Sequence, residues 1–192
     1  MEIQHVNVKL LVDSSAPVDL EPVIAVFHGW IQDRVCDELL VDVADYRHVP
    51  AGPGVVLVGH EANYSLDNTD SRLGVRYNRK APLDGYPQFR LEQAVRAALL
   101  ACQRLADDPR LEGKIRFDGR HWEVFINDRL LVPNREESRA EFEPEVRGLF
   151  DRLFPGRPYR LGYEEDPRRL LSALVETEER YTPEELLRNL EV

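Results

Sequence analysis

The turn cluster Val-Pro-Ala-Gly-Pro-Gly at 49–54 lies between two runs rich in β-branched residues, 38–47 and 55–62. Proline removes a backbone donor that a strand needs, and glycine allows the chain to reverse direction. The two runs are therefore predicted to form an antiparallel hairpin. This pairing favours a fold in which neighbouring strands follow each other along the chain.

The position of the turn sets which residues of the hairpin face each other. Centring it near residues 51 and 52 places Asp42 opposite Glu61 and Val43 opposite His60. This register brings two acids and a histidine together at the end of the hairpin away from its turn.

Other short runs along the chain alternate between strand and helix patterns. Strands are predicted at 3–11, 73–78, 115–117, 121–126, 130–132 and 158–164, and a polar loop at 64–72. The pair Asp118-Gly119 predicts a tight hairpin turn between two of these strands. The segment 166–178 fits either a helix or a strand.

Helices are predicted where apolar residues recur every three or four positions. The predicted segments are 20–33, 90–107, a helix capped by Asn134 and Glu137 that runs to 153, and a short helix after Thr182, with Thr182 as its cap and Glu185 as the acid at its third position. Pro144 predicts a kink or two abutting helices in the third segment.

The order of elements mixes hairpins with only a few crossovers. It predicts an α+β fold with a largely antiparallel, mixed sheet and helices packed mainly on one face. The 192 residues are expected to form a single domain, 1–192, with 108–114 as the place where it would subdivide. A Rossmann-like fold is not expected, because no GxGxxG motif follows a strand.

The net charge of −10 is spread evenly along the chain, and this limits the partners that we expect. Nucleic acids and phospholipid surfaces are polyanionic and bind clustered basic residues, so neither is expected as a partner. The longest uncharged apolar stretch, Pro22 to Gln32, is 11 residues, short of the ~20 that span a bilayer. The start of the chain shows no signal-peptide pattern, which predicts a cytoplasmic location.

Cys36 and Cys102 match no metal or redox spacing, so both are expected to be unpaired thiols. Cys102 lies on the apolar stripe of the 90–107 helix and is expected to be buried. Arginine outnumbers lysine by 22 to 3, a skew that codon usage in a GC-rich bacterial genome produces. A bacterial origin is therefore expected.

The segment 42–80 holds the densest mixture of acids, bases, histidines and tyrosines beside Gly/Pro turns. Binding groups tend to collect on loops that a rigid sheet displays. The candidate ligand-binding residues are Asp42, Tyr46, His48, His60, Glu61, Asn63, Arg76 and Lys80.

Two chemistries are open to this segment. Asp42, His60 and Glu61 supply carboxylate and imidazole groups for a divalent metal or for acid/base work. Alternation along a strand sends His60 and Glu61 to opposite faces, which weighs against that hypothesis. Arg76 and Lys80, which share a strand face with Asn78, would instead hold a carboxylate or phosphate.

The sequence contains no P-loop, HExxH, GxSxG, EF-hand loop or paired CxxC motif. It therefore favours a non-enzymatic bacterial cytoplasmic protein that binds a protein partner, a second copy of itself or a small anionic ligand, without a cofactor. The alternative is a small hydrolase or lyase, with or without a metal, that uses 42–80.

Overall fold

A computed structural model describes residues 2–13 and 17–191. In this part of the chain the strands are β1 (Val6–Leu11), β2 (Leu40–Tyr46), β3 (Gly54–Gly59), β4 (Ala62–Asp67), β5 (Gly74–Arg79), β6 (His121–Ile126), β7 (Arg160–Tyr163) and β8 (Leu171–Glu176). The α-helices are α1 (Glu21–Asp33), α2 (Pro87–Asp107), α3 (Glu136–Leu153) and α4 (Pro183–Leu190).

The eight described strands form one sheet in the order β2-β3-β4-β5-β1-β6-β8-β7, and every neighbouring pair is antiparallel. The predicted α+β fold is confirmed, with a sheet that is antiparallel throughout. β1 pairs with β5 on one side and β6 on the other, so strands from both sides of 108–114 share this sheet.

Side chains alternate between the two faces of the sheet. Val8, Tyr77 and Val124 point to one face, where they join a buried core with residues of all four described helices. The opposite face carries Lys9 and Arg76, and we call it the open face.

The strand β4 is an element that the sequence analysis missed, because 64–72 was interpreted as a loop. Its apolar Ala62, Tyr64 and Leu66 are buried in the core, whereas its polar residues alternate with them on the open face. This period of two is typical of a strand with one face against a core. The polar residues Asn63, Ser65 and Asp67 are the reason that this segment was interpreted as a loop.

The 38–47 and 55–62 runs do form an antiparallel hairpin, but the predicted register was wrong. Asp42 faces Val58 and Val43 faces Leu57. The connection runs from 47 to 53, so its centre lies at Pro50 rather than between 51 and 52. That displacement moves the register by three residues, and it leaves His60 and Glu61 in the turn between β3 and β4.

Two further strand predictions were wrong. Residues 115–117 are not a strand, and the Arg116 carbonyl there accepts a hydrogen bond from Asp13 N at 2.8 Å. Residues 130–132 form a turn in which Leu130 is 95% exposed, so no face of a sheet buries it. The undecided segment 166–178 contains strand β8.

Helix boundaries follow local chemistry in α4 but not in α3. Thr182 and Glu185 form the predicted capping box of α4. The predicted Asn134–Glu137 cap of α3 was wrong, because Asn134 Nδ2 instead donates to the Glu164 and Asp166 carbonyls at 2.9 Å each. α3 is one helix that continues through Pro144 rather than two.

Both cysteines are free, and Cys102 is buried, as predicted. None of the helices in 2–13 and 17–191 is long and apolar enough to cross a lipid bilayer.

Candidate functional site

A cleft of about 540 Å³ lies on the open face, over strands β1, β4, β5, β6 and β8. Its floor includes a row of four residues that the sheet register places side by side, in the order Arg76, Lys9, Glu123 and Leu174. Ser65 on β4 faces Arg76 at the end of this row. Two basic side chains therefore stand directly opposite each other on β5 and β1. Like charges in that position repel, so the row needs counterions.

Asp67 supplies the nearest counterion for both bases. Lys9 Nζ lies 2.6 Å from Asp67 Oδ1, and Arg76 Nη1 lies 3.8 Å from Asp67 Oδ2. The Lys9 and Asp67 side chains are only 2% and 1% exposed. Asp67 also accepts hydrogen bonds from the backbone N–H and hydroxyl of Thr69, at 3.1 and 3.0 Å. Its carboxylate is thus fully engaged.

Arg76 lies against an aromatic ring and an amide. Its guanidinium carbon is 4.7 Å from the centre of the Phe125 ring, a cation–π contact. With the Asn7 amide oriented to satisfy its neighbours, Asn7 accepts from Arg76 Nη2 at 3.1 Å and donates to Asn78 Oδ1 at 2.6 Å. Arg76 Nε is buried without a hydrogen-bond partner among the described residues.

The environment of Arg76 acts on its ionisation in two directions. Burial lowers the pKa of its guanidinium from the ordinary value, while the Asp67 and Glu123 carboxylates act to raise it. A guanidinium stays protonated under all ordinary conditions, so the floor of the cleft keeps this positive charge.

Glu123 is the second acid of the floor, and an arginine from the β4–β5 connection covers it. Arg72 Nη1 lies 2.5 Å from Glu123 Oε1, and the Glu123 side chain is 15% exposed. Arg72 is 41% exposed and so reaches solvent at the edge of the cleft.

Two connections fold over the open face and form the roof. Asp70, in the β4–β5 connection, forms an ion pair with Arg169 in the β7–β8 connection. Arg169 Nε also lies 3.2 Å from Glu164 Oε2, and these carboxylates raise the pKa of Arg169. Arg139 of α3 donates to the Glu164 carbonyl at 2.9 Å, which fixes the second connection against a helix.

The cleft is basic within an acidic protein. Six basic and four acidic residues line it, an excess of two positive charges, whereas the whole chain carries −10. The lining residues with ionisable side chains are Lys9, Asp67, Asp70, Arg72, Arg76, Glu123, Arg129, Glu164, Arg168 and Arg169. The arrangement therefore favours an anion over a cation.

Of the eight predicted ligand-binding residues, Arg76 lies in this cleft. Four others surround the β3–β4 turn: Glu61 accepts from Leu39 N at 3.0 Å, and Asn63 accepts from Gly59 N at 3.3 Å. The ammonium of Lys80 donates to the Gly59 carbonyl at 2.5 Å. His60 Nδ1 lies 3.4 Å from Glu61 Oε1, with its side chain 75% exposed.

The remaining three predicted residues lie along the outer strand and its turn. Asp42 accepts from Val43 N at 2.8 Å, and the Tyr46 and His48 rings stack with centres 6.4 Å apart. The corrected register keeps Asp42 away from a position opposite Glu61. Among the described residues, no group of three or more His, Cys, Asp or Glu side chains could hold a metal ion.

The sequence analysis missed Lys9, Asp67, Glu123 and Arg169. Lys9 carried a usable signal, since it is one of three lysines and alternates with Val8 and Leu10 in a strongly apolar strand. A charged residue at such a position needs a partner from another strand. Arg169 carried no such signal, because its contact with Asp70 joins residues 99 positions apart.

No family model, curated protein or solved structure matches this chain.

Proposed function

We propose that the protein binds a small anionic molecule in the cleft on the open face. The observation that carries this proposal is the pair of basic side chains, Lys9 and Arg76, that face each other across β1 and β5 and share Asp67. The floor and its edge hold three cations, Lys9, Arg76 and Arg72, against the two carboxylates of Asp67 and Glu123, which leaves one positive charge in excess. An anion that enters the cleft would relieve it.

The hydrogen-bonding state of Arg76 supports the same proposal. Its Nε is buried and unpartnered, and an unmet buried donor costs about 1–3 kcal/mol. Its side chain is still 24% exposed towards the cleft. A carboxylate or phosphate accepts two parallel hydrogen bonds from a guanidinium. A small shift of the Arg76 side chain would therefore let its Nε donate to a bound anion.

The size and lining of the cleft favour a small organic anion. Its volume of about 540 Å³ falls within the usual ~300–1,000 Å³ of small-molecule sites. Phe125 and Leu174 add apolar surface beside the charged groups. A bare inorganic ion would leave most of this space to water.

Thermal unfolding with inorganic phosphate and with pentanoate tests the proposal. A ligand at about 100 times its dissociation constant adds about 2.7 kcal/mol. For a chain of this size that corresponds to a rise of about 5–10 °C in melting temperature. We expect at least one of the two anions to produce such a rise, and no rise with an uncharged alcohol of the same chain length.

Arg76 and Lys80 supply a matched pair of variants. Arg76→Ala removes a positive charge inside the cleft, and Lys80→Ala removes one outside it. We expect the anion effect to vanish in the first variant and persist in the second. Arg72→Ala, at a more exposed position, covers the case in which Arg76→Ala unfolds. An equal loss in Arg72→Ala and Lys80→Ala would refute the assignment to this cleft.

We further propose a non-enzymatic role in a bacterial cytoplasm; the arginine-rich composition supports the bacterial origin, and the two unpaired thiols support the compartment. A protein partner or a second copy of the chain remains a prediction. The competing function is a small hydrolase or lyase, and steady consumption of a bound anion by purified protein would favour it.

A further inference from the structure

The roof of the cleft joins two connections that lie at opposite ends of the strands. In the strand order, β4 and β8 are separated by β5, β1 and β6, a distance of about 19 Å at the usual strand spacing. The β4–β5 connection lies beside the Leu11 end of β1, because Gly74, the first residue of β5, faces Leu11. The β7–β8 connection lies beside the Val6 end of β1, because Leu171, the first residue of β8, and Val6 both face Ile126.

Asp70 and Arg169 therefore meet on a diagonal across the open face. Asp70 and Ser71 both adopt left-handed backbone conformations, with φ of 60° and 58°. Residues other than glycine rarely adopt this conformation twice in succession without a local constraint. Asp67 supplies one, since its carboxylate binds both the backbone N–H and the hydroxyl of Thr69.

The two partners of this ion pair differ in what holds them. Arg169 is tied to its own connection through Glu164 Oε2 at 3.2 Å, and Glu164 is anchored to α3. Asp70 is 53% exposed and pairs with Arg169 alone among the described residues. Moving the Asp70 carboxylate from Arg169 into water therefore costs little free energy, because exposed ion pairs contribute little to stability.

An arginine that stays in place while its carboxylate partner leaves is a site for another carboxylate. The floor and the roof then present two separate basic positions, Arg76 with Arg72 below and Arg169 above. Phe125 and Leu174 lie in the same lining as these residues and suit a short apolar chain.

We infer that the ligand is a dicarboxylate, with one carboxylate at Arg76 and Arg72 on the floor and the second in place of Asp70 on Arg169. The inference rests on the proposed function, since it names the class of anion that the same cleft takes. Asp70 then pairs with Arg169 in place of the second carboxylate of the ligand when no ligand is bound.

Glutarate and pentanoate test the inference, because they share a five-carbon chain and differ in the second carboxylate. Binding is measured by calorimetry at fixed ionic strength. We expect glutarate to bind at least tenfold more tightly than pentanoate. Arg169→Ala should bring glutarate to within about twofold of pentanoate and leave pentanoate unchanged. Asp70→Asn should tighten glutarate alone, because it removes the competing charge.

Arg147 and Glu143 on α3 give a control pair. Arg147 is 49% exposed, as is Arg169, and lies 2.7 Å from Glu143. Arg147→Ala and Glu143→Gln should change neither affinity. Equal affinities for the two acids, or an Arg169→Ala effect no larger than that of Arg147→Ala, would overturn the dicarboxylate assignment while pentanoate binding upholds the proposed function. Binding of neither acid would overturn the dicarboxylate assignment, and the absence of phosphate binding as well would overturn the proposed function.

Discussion

Lys9 Nζ lies 2.6 Å from Asp67 Oδ1, although β5 separates the two strands that carry them. Lys9 faces Arg76 in the register, and Arg76 faces Ser65, two residues before Asp67. The lysine thus reaches diagonally past a like charge to its partner. This ion pair is buried on the face of the sheet opposite the helices, where both side chains line the cleft and at most 2% of either is exposed.

The two members of this pair should differ in their effect on stability. Asp67→Asn leaves the Lys9 ammonium buried without its carboxylate and removes the acid nearest to Arg76, and breaking a buried pair in this way costs about 3–5 kcal/mol. Lys9→Met should cost less, because Asp67 keeps Arg76 and Thr69 as partners. Urea unfolding of both variants checks the order, and a larger loss for Lys9→Met would contradict it.

Glu38 is a second buried acid, on the helix side of the sheet, and two tyrosines satisfy it. The Tyr64 and Tyr77 hydroxyls donate to its carboxylate at 2.7 and 2.9 Å, and Glu38 is 8% exposed. Glu38→Ala should cost about 1–3 kcal/mol, because the Tyr64 hydroxyl loses its acceptor, whereas the Tyr77 hydroxyl keeps Gln93 as a partner. Tyr64→Phe should cost less, because it leaves no donor unmet. Equal losses in urea unfolding would count against this account.

Stability should fall in alkaline solution partly through Cys36. Burial raises the pKa of its thiol from 9.0 to about 11, while Arg104 acts to lower it. Since the folded protein holds the proton more tightly, the contribution is complete below pH 9 and is lost as the pH rises towards 11. Cys36→Ala should lose less stability than the parent between pH 8 and 10.5 in urea unfolding. The same dependence of the unfolding free energy on pH in the two proteins would contradict the raised pKa of Cys36.

The same shift predicts slow chemistry at Cys36. A thiol whose pKa is raised by two units holds about 100-fold less thiolate at pH 8, and the thiolate is the reacting form. Alkylation of the native protein at Cys36 should be slower than that of a free thiol by about tenfold or more, because the greater nucleophilicity of a more basic thiolate offsets part of this factor. Peptide mapping after timed labelling measures it, and rapid labelling would contradict the shift.

Gly54 and Gly162 predict opposite outcomes for the same substitution. Gly54 has a φ of +65°, and an added Cβ would lie 2.1 Å from the Leu66 carbonyl oxygen. Gly54→Ala should therefore cost more than about 2 kcal/mol. Nothing lies within 4 Å of a Cβ at Gly162, so Gly162→Ala should stay within about 0.5 kcal/mol. Comparable losses in thermal unfolding would refute the steric argument.

Local chemistry in the sequence was sufficient for the elements that depend on neighbouring residues. The stripe of 90–107 predicted α2, and Thr182 with Glu185 predicted the start of α4. The Pro and Gly residues of 49–54 predicted a hairpin. These signals need no knowledge of distant contacts, because capping, periodicity and turn formation act within a few residues.

Tertiary structure alone decided the register and the cleft. Moving the centre of one turn by one and a half residues separated Asp42 from a position opposite Glu61, and no nearby residue type fixes such a displacement. Of the predicted site residues, Arg76 lies in the cleft, and its neighbours Lys9, Glu123 and Arg169 come from three other parts of the chain. Sheet pairing brings these charges together, and pairing between strands far apart in sequence depends on burial of the whole core. The sequence determined the elements whose signals are local, and the packed sheet determined the remaining strands and which charges meet.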